Sequence, residues 1–287
     1  MTTTWRQLAI EAEEQLAQVS ETPAVDAKRI VERASGNEGA EYILGLDEAV
    51  TERGMFFFDQ MLARRLTGEP LQYVLGRWGF RRLDLLVDKR VLIPRPETEL
   101  VTEYAIKEVD RLRTETDRVQ VADLGTGSGA IGLSIAFERE RVDVVLTDFS
   151  DDALAVARAN LAGIGRAATN VRVYQGSWFD ALPSEQKGTF GVIVSNPPYV
   201  ATTDRLDESV VRWEPHSALF AGDDGLDDLR ILFSQSPEWL GVNGALVVEI
   251  GESQVDAVRA LATENGFTDI SSFVDLSQRP RVIVARR

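Results

Sequence analysis

Val119-Gln120-Val121-Ala122-Asp123-Leu124-Gly125-Thr126-Gly127-Ser128-Gly129-Ala130 carries an apolar strand into three glycines at alternate positions, and the helical pattern Ile131-Gly132-Leu133-Ser134-Ile135-Ala136 follows at once. A strand that turns through glycine into a helix opens a βαβ unit, and the missing side chains let the backbone approach a ligand closely at the strand's carboxyl end. Gly125, Thr126, Gly127, Ser128 and Gly129 are the contacts this reading predicts. The spacing is G-x-G-x-G and lacks the third glycine position of the dinucleotide fingerprint, so a nucleotide-like cofactor competes with a plain tight turn.

The next strand narrows that choice. Val142-Asp143-Val144-Val145-Leu146-Thr147-Asp148 ends in an acid about twenty residues beyond the glycines, where a carboxylate can accept hydrogen bonds from ribose hydroxyls. A turn acid is the other reading of Asp148. Ser150 is placed to cap a helix whose first turn holds Asp151 and Asp152, favourable partners for its dipole. A third strand, Val171-Arg172-Val173-Tyr174, leads to Ser177 and Trp178, an aromatic beside polar groups that could flank an adenine or belong to the core.

A fourth apolar run, Phe190-Gly191-Val192-Ile193-Val194, leads into Asn196-Pro197-Pro198-Tyr199. The proline after Asn196 pushes it toward extended geometry, and neither proline has an N–H to compete for acceptors. The Asn196 oxygen and a neighbouring main-chain carbonyl can each take one proton of a planar NH2 group, while Tyr199 offers a flat face. Asn196, Pro197 and Tyr199 are the expected catalytic residues, with Pro198 joining them in contact with substrate, and Asn196 is also expected against the cofactor.

Glycine loop, acid, aromatic loop and Asn-Pro-Pro-Tyr, in that order, resemble a class I S-adenosylmethionine-dependent methyltransferase. Further blocks resemble the release-factor glutamine methyltransferases of the HemK/PrmC family: Gly68-Glu69-Pro70-Leu71-Gln72-Tyr73, Leu92-Ile93-Pro94-Arg95-Pro96-Glu97-Thr98-Glu99, Glu214-Pro215, Asp224-Gly225-Leu226-Asp227 and Glu249-Ile250-Gly251. The resemblance implies transfer of a methyl group from S-adenosyl-L-methionine, leaving S-adenosyl-L-homocysteine. The implied acceptor is the side-chain amide nitrogen (N5) of the glutamine in the Gly-Gly-Gln motif of class 1 peptide-chain release factors. No strong general base is needed, since nitrogen loses its proton readily once alkylated. Near the end, Asp275-Leu276-Ser277-Gln278-Arg279-Pro280-Arg281 lacks the glycine expected before the last strand.

Around these motifs the alternation of strand and helix predicts a seven-stranded, doubly wound α/β domain, Rossmann-like by the same resemblance, over residues 97–287. Its strands are expected near 119–124, 142–148, 171–175, 190–195, 244–250, 267–274 and 281–285. Residues 1–75 read as a small helical domain, implied by the resemblance to recognise substrate, with Leu8, Ala12, Leu16 and Val19 at helical spacing and Thr22-Pro23 as a helix start. Met55, Phe56, Phe57, Phe58 and Met61 are read as its core. Residues 76–96 read as a β-hairpin linker. Glu97 and Glu99 fit either a helix start or a contact to ligand, and His216 reads as structural or surface.

Composition excludes several classes. There are 287 residues and no cysteine, so disulfides, thiolate metal sites and a cysteine nucleophile are absent, and no metal is expected. With 31 basic against 46 acidic side chains and a net charge of −15, phosphate-gripping DNA or RNA amino-methyltransferases are disfavoured, although they use the same Asn-Pro-Pro-aromatic device on a base amine. A nucleotide-binding module without catalysis would have no use for Asn196 to Tyr199. No leader or membrane-spanning run is evident, so a cytoplasmic protein is expected; a monomer is the expected state. Residues 64–95 hold eight basic groups and three acids, either a docking patch for the protein substrate or partners for internal ion pairs.

Overall fold

Helical spacing organises the amino-terminal region of the computed structural model, which describes residues 3–287. Helix α1 (Trp5–Leu16) opens with a capping box: Thr4 accepts from the Gln7 N–H and the Gln7 side chain accepts from the Thr4 N–H. It is followed by α2 (Pro23–Ser35), α3 (Ala40–Gly45), α4 (Glu52–Leu66) and α5 (Leu71–Leu75). Proline does start α2, but Thr22 makes no capping bond to its backbone. Trp5, Leu8, Ala12, Leu16, Ile30, Phe58 and Leu62 form one core among these helices.

Two of the expected core phenylalanines lie outside it. Phe58 and Met61 are buried, but Phe56 and Phe57 are 58% and 44% exposed. Consecutive residues on a helix are about 100° apart, so one apolar stripe cannot take all three rings. Val19 is also exposed, because α1 has ended at Leu16 before reaching it.

The chain divides into two compact units: residues through Arg77 together with Asp207–Trp213, and Trp78–Leu206 together with Glu214–Arg287. In the expected linker, β1 (Arg77–Phe80) and β2 (Leu83–Leu86) form a two-stranded sheet, and the chain from Val87 to Glu97 has no regular structure. Its anchor is Asn160, whose amide oxygen accepts from the Leu86 N–H at 2.7 Å while its NH2 donates to Leu86 O and to Ser128 O.

The second unit continues through α6 (Thr98–Leu112), β3 (Val119–Leu124), α7 (Ala130–Glu138), β4 (Val142–Asp148), α8 (Asp151–Gly163), β5 (Val171–Gln175) and β6 (Phe190–Ser195). After α9 (Glu208–Trp213), the segment grouped with the helices, come α10 (Asp227–Trp239), β7 (Leu240–Glu249), α11 (Val255–Glu264), β8 (Asp269–Val274) and β9 (Pro280–Arg286). Among the described residues the seven strands order as β5-β4-β3-β6-β7-β9-β8. Strands β3 to β7 pair in parallel, and β9 is antiparallel to both its neighbours. Central strands bury both faces, which is why β3, β4 and β6 are nearly continuous apolar runs.

Parallel pairing brings four carboxyl ends to one edge. Leu124 is level with Thr147, Asp148 with Gln175, and Asp123 with Val194. Strand order reverses at β3, between β4 and β6, and an open α/β sheet forms its binding crevice at such a switch point.

Candidate active site

A cavity of about 300 Å³ opens above those strand ends. Gly125, Thr126, Gly127 and Ser128 line it from the turn after β3, Asp148 from the end of β4, Ser177 and Trp178 from the turn after β5, and Asn196 and Pro198 from the turn after β6. Arg90 to Leu92, Pro94, Thr98, Asp228 and the stretch around Pro215 to Ala218 add to the wall, and none of these was singled out as a site residue from sequence. Gly129, Pro197 and Tyr199 do not line the cavity. Gly129 caps the start of α7, and the Tyr199 hydroxyl reaches a buried carboxyl.

The glycine loop depends on left-handed backbone. Gly125, Gly127 and Gly129 have φ of +69°, +55° and +86°, and a Cβ on Gly129 would come within 2.6 Å of Leu133. Asp123 braces the loop from below: one carboxyl oxygen accepts from the Thr126 hydroxyl at 2.6 Å and the Gly132 N–H at 2.9 Å, and the other is buried with no partner. Burial pushes this carboxyl up to about 6.

Asp148 accepts from the Gly127 N–H and the Ser150 N–H, both at 2.9 Å. Burial raises its pKa, against the pull of those donors. Ser150 also caps α8, accepting from the Ala153 N–H. Trp178 is half-buried, lining the cavity and packing on the core at once, with its indole N–H donated to Asp228 at 3.2 Å. It takes a left-handed φ of +45°, a conformation that costs a residue with a Cβ. A crevice with a carboxylate at one strand end, an indole at the next and a side-chain-free loop between them suits a ligand carrying both hydroxyls and a flat ring.

On the other side, the Asn196 NH2 donates to the Thr98 hydroxyl at 3.2 Å, and that hydroxyl donates to Glu249 at 2.7 Å. The Tyr199 hydroxyl donates to the second oxygen of Glu249 at 3.3 Å, and the Tyr199 carbonyl accepts from Gln254 at 3.0 Å. Glu249 is 1% exposed, and burial pushes its pKa up to about 7. Burial first, and the Glu249 charge second, raise that of the Tyr199 phenol.

Sequence reading assigned no role to Thr98, Asn160, Glu214, Glu249 or Gln254. Glu214 is buried, accepts from the Ile93 N–H at 3.0 Å and pairs with Arg95, so it ties down the cavity wall from Arg90 to Pro94. An acid amid the apolar run Val247-Val248-Glu249-Ile250 was the available signal for a special carboxyl.

Glu97 and Glu99 stand at the start of α6 and do not line the cavity. Glu97 immediately precedes α6, makes no side-chain capping bond and faces Arg279 at 3.5 Å, and Glu99, in the first turn, accepts from the Arg81 N–H at 2.9 Å. His216 is exposed and packs edge-on against Phe220. The basic stretch 64–95 is largely internal ion pairing: Arg64 with Glu69, Arg65 with Asp26, Arg77 with Glu38, Arg81 with Glu138, Arg90 with Asp88 and Arg95 with Glu214. No helix among the described residues is long and apolar enough to cross a membrane.

Residues 7–76 match the family model of the PrmC N-terminal domain, and residues 108–213 that of the methyltransferase small domain. A release factor glutamine methyltransferase of Salmonella typhimurium is 38% identical over 269 residues, covering 93% of each chain. One from Escherichia coli (strain K12) is 36% identical over 271 residues, covering 94% of each. Among solved structures, the catalytic domain of hMettl16 in complex with MAT2A 3'UTR hairpin 1 superposes with a TM-score of 0.55 at 15% identity, over 85% of this chain and 84% of that one. That likeness concerns the fold alone.

Proposed function

This chain belongs to the release factor glutamine methyltransferase family, and from that premise we propose that it methylates the side-chain amide nitrogen of the glutamine in the Gly-Gly-Gln motif of class 1 peptide-chain release factors. The observation that carries this reading is the direction of the Asn196 amide. Its NH2 is donated inward to Thr98, which leaves its oxygen for an incoming N–H donor.

A carboxamide nitrogen shares its lone pair with the carbonyl and is a poor nucleophile. Asn196 Oδ1 and a main-chain carbonyl of the Pro197-Pro198 segment accept its two protons, turn the lone pair toward the electrophile and offset the positive charge growing on nitrogen. The proton leaves to water after the N–C bond has formed, so no side chain need act as a strong base.

The residues facing the cavity fit S-adenosyl-L-methionine: Asp148 to accept from ribose hydroxyls, Trp178 and Ser177 beside adenine, and the Gly125 to Ser128 loop against the chain that links them. When bound, this cofactor supplies an electrophilic methyl on a sulfonium and departs as S-adenosyl-L-homocysteine. Asp148, Trp178 and the loop hold and orient it, while Asn196 and Pro198 face the acceptor. Cytoplasmic location and a monomeric state complete the proposal.

Incubation with methyl-labelled cofactor tests it. Label should enter an intact release factor and neither single-stranded nor duplex DNA; label in DNA, with none in the release factor, overturns the proposal.

A further inference from the structure

Glu249 has a burial problem that the proposed reaction does not by itself explain. Its carboxyl ends β7 between Val248 and Ile250, both fully buried, and makes no ion pair among the described residues. A carboxylate sealed in apolar surroundings is costly unless its acceptors are used. Here both oxygens are used, by Thr98, the partner of Asn196, and by Tyr199, so one carboxyl meets both ends of the Asn-Pro-Pro-Tyr turn. We propose that Glu249 is the positioning residue of the site, holding Asn196 through Thr98 with its amide oxygen toward the substrate, and holding Tyr199 directly.

Donor direction sets the polarity of this chain of hydrogen bonds, given the proposed role of Asn196 as acceptor for the substrate amide. A hydroxyl has one proton to donate. While Glu249 is ionised it can only accept, so the Thr98 proton goes to Glu249 and Thr98 meets Asn196 with a lone pair. The Asn196 NH2 must then face Thr98, and the oxygen is left facing out. Reversal of that amide would set two acceptors against each other.

Protonation of Glu249 removes the constraint. A carboxylic acid can donate to Thr98, which frees the Thr98 proton for the Asn196 oxygen and lets the amide turn its NH2 to the substrate, where it meets another donor. The charged groups that bear on this carboxyl are Arg281 on β9 and Glu97 before α6, with Arg95 acting on its partner Tyr199. Arg281 favours the ionised form and Glu97 opposes it. With burial dominant and the carboxyl pushed up to about 7, the relay has its working polarity above neutral pH and loses it below.

Glu249→Gln places a donor where the carboxylate only accepts, and so imitates the protonated state at every pH. On an intact release factor its kcat should fall about a hundredfold, the scale for losing one aligned polar contact to a transition state. Cofactor affinity by calorimetry should stay within about twofold, and the loss of wild-type kcat below about pH 7 should be missing from the variant's profile. Thr98→Ser keeps the hydroxyl and should retain most of the rate, whereas Thr98→Val should lose it. This pair decides the matter if Glu249→Gln fails to fold. A Gln variant with wild-type kcat or an unchanged acidic limb, or equal loss in Thr98→Ser and Thr98→Val, overturns the positioning role. If wild-type protein methylates no release factor, it is the proposed function that fails instead.

Discussion

Asn196 and Asp148 stand on opposite sides of one cavity, and the account gives them separable effects. Asn196→Ala should lower turnover by orders of magnitude while calorimetry shows cofactor binding largely intact, because its oxygen faces the acceptor amide rather than chiefly the cofactor. Asp148→Ala should weaken cofactor binding by about 1–3 kcal/mol, the scale of a lost charge-assisted partner. Equal loss of binding in both variants would contradict the division. These two residues were legible in the sequence because each ends an apolar strand where a turn begins, and local pattern is enough to find such positions. Thr98 and Glu249 were not, since their meaning lies in a hydrogen bond between residues 151 apart in the chain. Asn160 was hidden for the same reason: nothing in α8 says that its amide will hold the last residue of a hairpin strand 74 positions earlier.

At the scale of elements, the turn between β8 and β9 shows how the chain manages without the glycine expected there. Gln278 takes the left-handed conformation itself, at φ +62°, and Asp275 stabilises the turn by accepting from the Ser277 and Arg279 N–H groups. Those bonds hold the Asp275 carboxyl below the usual range. Gln278→Gly should therefore raise stability by about 0.5–1 kcal/mol in thermal melts, the left-handed penalty less the added freedom of the unfolded chain; a lowered midpoint would show that the Gln278 side chain matters more than its backbone. The hairpin carries a second prediction. Arg81 pairs with Glu138 through two nitrogens, at 2.7 and 2.9 Å, and its N–H reaches Glu99. Arg81→Glu should cost about 2 kcal/mol, between the values for exposed and fully buried pairs, and should lower methylation of a short Gly-Gly-Gln peptide as much as that of an intact factor. Loss confined to the intact factor would restore Arg81 to a docking role. Strand positions were well legible here, because buried parallel strands are distinctive apolar runs, whereas the pairing of six of the eight basic groups was not, since charge counts carry no partners.

For the molecule as a whole, the net charge of −15 and the presence of only four lysines among 31 basic residues describe a self-repelling surface. Salt screens such repulsion, so the melting midpoint should rise between dilute buffer and molar potassium chloride; an unchanged midpoint would show that self-repulsion contributes little to stability. Stability should also carry the mark of Glu249. Its folded-state pKa of about 7 lies above the ordinary carboxyl value, so its share of stability is present below the ordinary value and is lost as pH rises toward 7. Glu249→Gln should flatten stability against pH across that window relative to wild type, and parallel curves would show that the carboxyl is not strained by burial. In the proposed reaction the carboxyl ends of the parallel strands make a glutamine amide nucleophilic. The most direct measurement is fragmentation mass spectrometry of a release factor after incubation with this protein and S-adenosyl-L-methionine. The account predicts one added methyl, on the side-chain amide of the Gly-Gly-Gln glutamine, and none when that glutamine is replaced by alanine; a methyl on any other residue, or one that survives the replacement, contradicts it.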